Sequence, residues 1–252
     1  MPDFGLSGRV ALITGSSKGI GYALAEGLAA AGARVVLNAR SLGALNAAAE
    51  ALRATGAKVD VLPFDVTDAE AVRTAVDGYE VTRPIDILIN NAGMTFRSPL
   101  EDFPVEEFDR IMRTNVYSAF HVGQACARHM IARGRGKIIN IASVQTALSR
   151  PGIAPYAASK GAIANLTKGM ATDWARHGLN CNAIAPGYFE TELTAALVAD
   201  PAFTAWLEQR TPQGRWGRVD ELQGAAVFLA SDAASFVNGH TLFVDGGMTA
   251  CV

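Results

Sequence analysis

Tyr156 and Lys160 stand four residues apart in the run Tyr156-Ala-Ala-Ser159-Lys160. On a helix that spacing puts both side chains on one face, so a phenol and an ammonium can enter one site. A phenol titrates near pH ~10 in water, and a neighbouring buried cation favours the phenolate and lowers that value. A tyrosine tuned in this way exchanges a proton with an alcohol or a ketone, which is half of a carbonyl redox reaction. Alone, the pair is weak evidence, since chance sets Tyr and Lys at this spacing on many exposed helices. Its meaning depends on what precedes it.

The other half of such a reaction needs a hydride carrier. Directly after an apolar run at 9–14 comes Thr14-Gly15-Ser16-Ser17-Lys18-Gly19-Ile20-Gly21. Gly15, Gly19 and Gly21 permit a tight turn and close backbone approach, while the helix that follows offers unpaired N–H groups to a pyrophosphate. Ser17, Lys18 and Ile20 belong to the same candidate cradle. The spacing is Gly-x-x-x-Gly-x-Gly rather than Gly-x-Gly-x-x-Gly, and strand, turn and helix together point to a dinucleotide. At the end of the second strand an acidic residue would chelate the ribose of NAD and repel a 2′-phosphate. That place holds Asn38, with Arg40 two residues on. With Lys18 and Arg40 as cations and no carboxylate, NADP is the expected cofactor and NAD suits the site less well. The alternative is that Arg40 merely begins a solvated loop. Asp65 and Val66 follow the third strand and are candidates for the adenine edge. Asn91, Ala92 and Gly93 end the fourth strand, where ligands of such sheets bind.

The elements that must position these residues alternate along the chain. Strands are expected at 9–14, 34–38, 58–64, 85–90, 136–141, 180–184 and 241–244. Helices are expected at 20–31, 42–55, after Asp68, at 108–133, from Tyr156 to about His177, and at 220–230. Strand and helix in turn, with nearly continuous apolar strands, indicate a parallel sheet covered on both faces. Right-handed crossovers then make a single doubly wound α/β Rossmann domain over 1–252 with a seven-stranded parallel sheet.

Composition bounds the function classes. The 252 residues carry a net charge of -2 and are half apolar. No basic stripe is visible, so nucleic acid and anionic membranes are not expected partners. Neither a secretory leader nor an apolar run of membrane-spanning length is evident. Cys126, Cys181 and Cys251 are widely spaced, and His121, His129, His177 and His240 lack paired-ligand spacing, so no metal is expected. The expected setting is the cytoplasm.

With those stretches placed, the chain resembles the short-chain dehydrogenase/reductase family from Leu6 to Gly247. The match runs in order through Thr14 to Gly21, Asp65, Asn91-Ala92-Gly93, Asn115, Ser143, Tyr156 to Lys160, and Pro186-Gly187 with Thr191. The resemblance implies a catalytic set of Asn115, Ser143, Tyr156 and Lys160. Tyr156 acts as acid in reduction and base in oxidation, and Ser143 bonds the substrate oxygen. Lys160 holds the nicotinamide ribose and lowers the Tyr156 pKa, while Asn115 positions a water for proton relay. Pro186, Gly187 and Thr191 line the nicotinamide amide and pyrophosphate. The resemblance also implies a homotetramer built on the two alanine-rich helices.

Several longer stretches, including Ser143-Val-Gln145, Arg150-Pro-Gly-Ile-Ala-Pro-Tyr156 and Pro186-Gly-Tyr-Phe-Glu-Thr191, are similar to the gluconate 5-dehydrogenase branch of that family. This implies interconversion of 5-keto-D-gluconate and D-gluconate. Arg97 is then the candidate for a carboxylate or hydroxyl, or else a solvated loop charge, and Gln145 is the candidate hydroxyl partner. Met94-Thr-Phe96 leaves room for a hydrophobic ketone instead. Arg150, Trp206 and Trp216 either face the pocket or, on the simpler reading, serve core or lid packing. Residues 188–213 would form a lid over the substrate, where selectivity resides. The same chemistry on another sugar, a cyclic ketone or a 3-oxoacyl thioester is an alternative, as is an NADP-binding module without catalysis.

Overall fold

The computed structural model describes residues 3–251. Seven strands form one all-parallel sheet: β1 (Val10–Ile13), β2 (Arg34–Leu37), β3 (Val59–Val61), β4 (Ile87–Asn90), β5 (Gly136–Ile141), β6 (Leu179–Pro186) and β7 (Thr241–Val244). Their spatial order is β3-β2-β1-β4-β5-β6-β7. The doubly wound expectation holds. After β3, the chain returns to pair β4 with β1, Leu12 lying opposite Leu88. Crossovers on either side of that point go to opposite faces and open a crevice above the carboxyl ends of β1 and β4.

Residues within one strand serve two cores because side chains alternate across the sheet. Ala11, Ile13, Val35, Leu37, Ile87 and Ile89 pack on one face, against α1 (Gly19–Ala30), α2 (Leu42–Arg53) and α9 (Gln223–Ala230). Leu12, Val36, Leu88 and Ile138 face the other way, towards α3 (Ala69–Glu80), α5 (Ser118–Arg133) and α6 (Ala154–Trp174). Burial on both faces accounts for the unbroken apolar strands.

A polar bridge crosses the second core. Asn90 and Asn140 are register partners on β4 and β5, and Asn90 Nδ2 donates to Asn140 Oδ1 at 2.9 Å. Asn140 Nδ2 donates to Thr167 Oγ1 on α6, also at 2.9 Å. Amides left unpaired at such depth would be costly, so the bridge favours one register of α6 on the sheet.

The boundaries differ from expectation where local chemistry intervenes. β3 ends at Val61, two residues before Pro63, which cannot donate to a ladder. The expected helix at 108–133 begins earlier, as α4 (Val105–Met112) after Pro104. It reaches α5 through a π turn, Arg113–Tyr117, where the Ser118 N–H donates to Arg113 O five residues back. Residues 188–213 contain α7 (Ala195–Val198) and α8 (Pro201–Arg210), the latter started by Asp200 accepting from the Ala202 and Phe203 N–H groups at 3.0 and 3.3 Å. Leu197 and Leu207 of this segment pack with Val144, Trp216 and Met248.

Candidate active site

β5 stops at Ile141, and two residues later Ser143 caps the short turn Val144–Thr146, accepting from the Gln145 N–H at 3.2 Å. That places the hydroxyl at the carboxyl end of the sheet. α6 opens beside it, with Pro155 in its first turn where a missing N–H costs nothing. Tyr156 follows, one turn before Lys160. Lys160 is buried and donates from Nζ to Ile141 O at 2.7 Å, a carbonyl at the end of β5. The ammonium lies 5.7 Å from the centre of the Tyr156 ring. The helical spacing therefore does bring phenol and ammonium onto one face.

The electrostatics differ from the sequence expectation. Burial of Lys160 pulls its pKa down to about 8, and burial raises that of Tyr156 against a lowering by the Ser143 hydroxyl and a further raise from Tyr188. Lys160 does not depress the Tyr156 phenol here. Loss of water disfavours both charged forms, and the ammonium is spent on the Ile141 carbonyl. The tyrosine is held as a neutral phenol at neutral pH, suited to donate a proton.

Asn115 sits in the π turn, a distortion often found where a helix must aim a functional group. Its Oδ1 accepts from the Met94 N–H at 2.8 Å, and its Nδ2 donates to Met94 O and Ser159 Oγ, each at 2.9 Å. Both amide hydrogens are therefore used to brace the loop after β4 against α6. Gly93 lies between this amide and the lysine: a Cβ there would meet Asn115 Oδ1 at 3.4 Å and Lys160 Nζ at 3.6 Å.

At the cofactor end the glycine turn is held from beneath. Thr14 Oγ1 accepts from the N–H groups of Asn91 and Ala92 at 2.9 and 3.1 Å. Asn91 returns its Nδ2 to Thr14 O at 2.9 Å and Gly15 O at 3.0 Å, so its side chain shapes the turn rather than facing the crevice. Gly15 and Gly19 have φ of +62° and +57°, open to glycine at little cost. α1 then starts with no side-chain cap and no acidic residue in its first turn. A Cβ on Gly19 would meet nothing within 4 Å. Uncapped N–H groups, an absent carboxylate and open space above them fit a pyrophosphate.

Three expected cofactor residues make contacts within the protein itself. Asn38 is buried and donates from Nδ2 to Leu62 O and Phe64 O at 3.0 and 3.2 Å, so it clamps β2 to the chain after β3 instead of facing a ribose. Its backbone N–H also donates to Ser16 Oγ at 3.0 Å, tying the turn to β2. Val66 is buried in the second core, which limits it to an apolar wall. Lys18 is ion-paired with Glu192, from the segment 188–213, rather than free. Both are exposed, so the pair is weak and an incoming anion can displace it. Arg40 fits the expectation better: its side chain is 80% exposed, 4.0 Å from Asp65, and can reach a phosphate. Asp65 itself accepts from the Thr67 N–H and hydroxyl at 2.9 and 2.7 Å.

Beyond β6, the Gly187 N–H donates to Val244 O at 2.9 Å, and a Cβ on Gly187 would lie 2.8 Å from Asp245 Cα. Only glycine lets Pro186 and Gly187 turn there. Thr191 closes a local turn, its N–H donating to Thr194 Oγ1 at 2.9 Å. On the substrate side, Gln145 is buried and donates from Nε2 to Tyr188 Oη at 3.3 Å. Arg97 is exposed on the loop after β4. Trp216 is buried and donates to Thr204 Oγ1 at 3.2 Å, which is packing, as expected. Thr14, Ser16, Ser159 and Tyr188 are not among the expected site residues, although Thr14, Ser16 and Ser159 lie inside the two motifs that single out the site. Among the described residues no group of three His, Cys, Asp or Glu could hold a metal, and no helix is long and apolar enough to cross a membrane.

A family model described as Enoyl-(Acyl carrier protein) reductase matches residues 15–249. The chain is 61% identical over 250 residues to a gluconate 5-dehydrogenase of Gluconobacter oxydans (strain 621H), covering 98% of each. It is 50% identical to a 5-keto-D-gluconate 5-reductase of Escherichia coli (strain K12), covering 99% of this chain and 98% of that one. Among solved structures, a gluconate 5-dehydrogenase from Burkholderia cenocepacia J2315 in complex with NADP and tartrate is 57% identical, with a TM-score of 0.98 over 100% of this chain and 99% of that one. With Ser143, Tyr156 and Lys160 gathered at the carboxyl edge of a seven-stranded parallel sheet, and with likeness over nearly its whole length, the chain belongs to the short-chain dehydrogenase/reductase family.

Proposed function

We propose that the protein is an NADP-dependent oxidoreductase that interconverts 5-keto-D-gluconate and D-gluconate. The observation that carries this reading is the meeting of a neutral, partly desolvated Tyr156, the Ser143 hydroxyl and buried Lys160 beside an uncapped helix terminus. The relatives at 61% and 50% identity support the sugar-acid substrate. So does the tartrate, a hydroxy acid, held by the Burkholderia protein.

When bound, NADPH supplies the hydride at its nicotinamide C4. The residues of the chain do the rest. The turn at 14–21 and the α1 terminus receive the pyrophosphate, and Arg40 the 2′-phosphate. Ser143 holds the ketone oxygen where negative charge develops. Tyr156 donates its phenolic proton to that oxygen in reduction and, as phenolate, takes it back in oxidation. Lys160 holds the nicotinamide ribose and passes a proton back to the phenolate that reduction leaves, and a water held at an oxygen of Asn115, whose amide hydrogens are both engaged, links this corner to solvent. Gln145 and Arg97 meet the hydroxyls and carboxylate, under a lid formed by 188–213.

The same reading extends to assembly and setting. Val105, Phe108, Tyr117 and Phe120 leave apolar surface exposed along α4, the π turn and α5, which supports a homotetramer packed on these helices and α6. Free Cys126, Cys181 and Cys251 suit the reducing cytoplasm. The testing experiment is steady-state kinetics with 5-keto-D-gluconate, comparing NADPH with NADH. Turnover with NADPH at a higher kcat/KM than with NADH is expected. Absence of NADPH oxidation with this ketone, beside good turnover of a cyclic or acyl ketone, would overturn the substrate.

A further inference from the structure

Two arginines stand on loops that meet beside the start of α6, where Tyr156 lies. Arg97 lies on the loop after β4, and Arg150 on the loop leading into α6. A backbone bond from the Ser98 N–H to Gly152 O, 3.1 Å long, ties the two loops together. Among the described residues, neither arginine stands within ion-pair distance of a carboxylate.

Arg150 lies over the Phe203 ring of α8, its guanidinium carbon 5.4 Å from the ring centre, and its Nε is buried without a hydrogen-bond partner. Gln145 is 7% exposed, and its Oε1 is likewise buried without a partner. Tyr188 joins these groups. Burial raises its phenol against the charge of Arg150 and a hydrogen bond from it, against the charge of Arg97, and against the hydrogen bond from Gln145, while Tyr188 in turn acts on Tyr156. Burial, and then the like charge of Arg150, lower the pKa of Arg97. Two like charges beside a dry aromatic wall repel each other, and an anion between them would relieve both the repulsion and the orphaned donor. Planar guanidinium forks match a carboxylate.

We propose that Arg150 acts with Arg97 as a two-guanidinium clamp on the substrate carboxylate, making Arg150 a residue that selects sugar acids over neutral polyols and ketones. The stacked position over Phe203 holds the fork in place, so little side-chain freedom is lost on binding. The clamp deepens the redox reading above and rests on it for the orientation of the substrate.

The test compares D-gluconate with D-glucitol, which differ at C1 in carrying a carboxylate or an alcohol. Both are titrated calorimetrically into the protein saturated with NADPH, where neither alcohol can react. Wild type should bind gluconate at least tenfold more tightly than glucitol. Arg150→Gln should weaken gluconate binding at least tenfold and leave glucitol and NADPH binding unchanged, and Arg150→Lys should recover part of the loss. Equal affinity of wild type for the two ligands, including no binding of either, overturns the clamp. So does an Arg150→Gln variant that binds gluconate as wild type does or loses both ligands alike. If that variant does not fold, the wild-type preference and Arg150→Lys decide. Turnover of 5-keto-D-gluconate is read separately: preference without turnover sinks the redox reading alone, and turnover without preference sinks the clamp alone.

Discussion

Replacing Lys160 with methionine should stabilise the protein at neutral pH while abolishing its activity, and the gain should vanish at alkaline pH. Lys160 is 5% exposed, and its only hydrogen-bond acceptor among the described residues is the Ile141 carbonyl at 2.7 Å. Burial lowers its pKa from 10.5 to about 8. Below pH 8 both folded and unfolded chains hold the proton, and the folded chain bears the full cost of an enclosed cation. Between pH 8 and 10.5 the unfolded chain binds a proton that the folded chain does not, so stability rises with pH. At 1.36 kcal/mol for each pH unit of that window, the penalty is about 3 kcal/mol. Methionine fills a similar volume without charge. Urea unfolding of both proteins at pH 7 and pH 10 measures the effect as a difference between them, in which titrations common to both cancel. The advantage of Lys160→Met should shrink by roughly 2–3 kcal/mol between the two pH values. A difference that stays constant with pH would refute the argument, because it would mean that Lys160 is not a buried, uncompensated cation.

Tyr156→Phe should lower kcat by about 10²-fold or more while NADPH affinity, read by fluorescence titration, stays within a few fold. Because Tyr156 serves as phenol in one direction and phenolate in the other, the rate of ketone reduction should fall, and that of alcohol oxidation rise, as pH increases towards the raised phenol pKa; parallel profiles would contradict the assignment. Arg40→Asp should weaken NADPH relative to NADH by at least tenfold in kcat/KM, since a carboxylate there repels the 2′-phosphate. Thr14→Val keeps the volume but leaves the Asn91 and Ala92 N–H groups without their acceptor, and should cost about 2–4 kcal/mol in urea unfolding and weaken dinucleotide binding.

The sheet and the shared face of Tyr156 and Lys160 were legible because both depend on short-range regularities. Apolar strands buried on both faces write themselves as runs such as Ile87–Asn90, and the four-residue step from Tyr156 to Lys160 survives any packing that keeps α6 helical. The glycine turn was legible for the same reason, since Gly15 and Gly19 adopt conformations other residues avoid. What a side chain does once placed was less legible. Asn38 occupies the position expected for a ribose ligand, yet its amide is consumed by Leu62 and Phe64, because the end of β3 leaves carbonyls that need donors. Lys18 meets Glu192 from 174 residues away, a pairing no local pattern announces.

The sequence by itself determined the fold class and the reaction class, since each rests on residue type at fixed local spacing. Only the tertiary structure decided the electrostatics of the pair on α6. A phenol beside an ammonium suggests a lowered phenol pKa, but enclosure removes the water that stabilises either charge, so Tyr156 rises and Lys160 falls. Tertiary structure also decided that Arg97 and Arg150, 53 positions apart in sequence by number, stand on adjoining loops, because the loops after β4 and before α6 are joined by the Ser98 N–H donating to Gly152 O. Desolvation and the meeting of distant loops depend on the whole packed chain, and neither is written in any single segment of it.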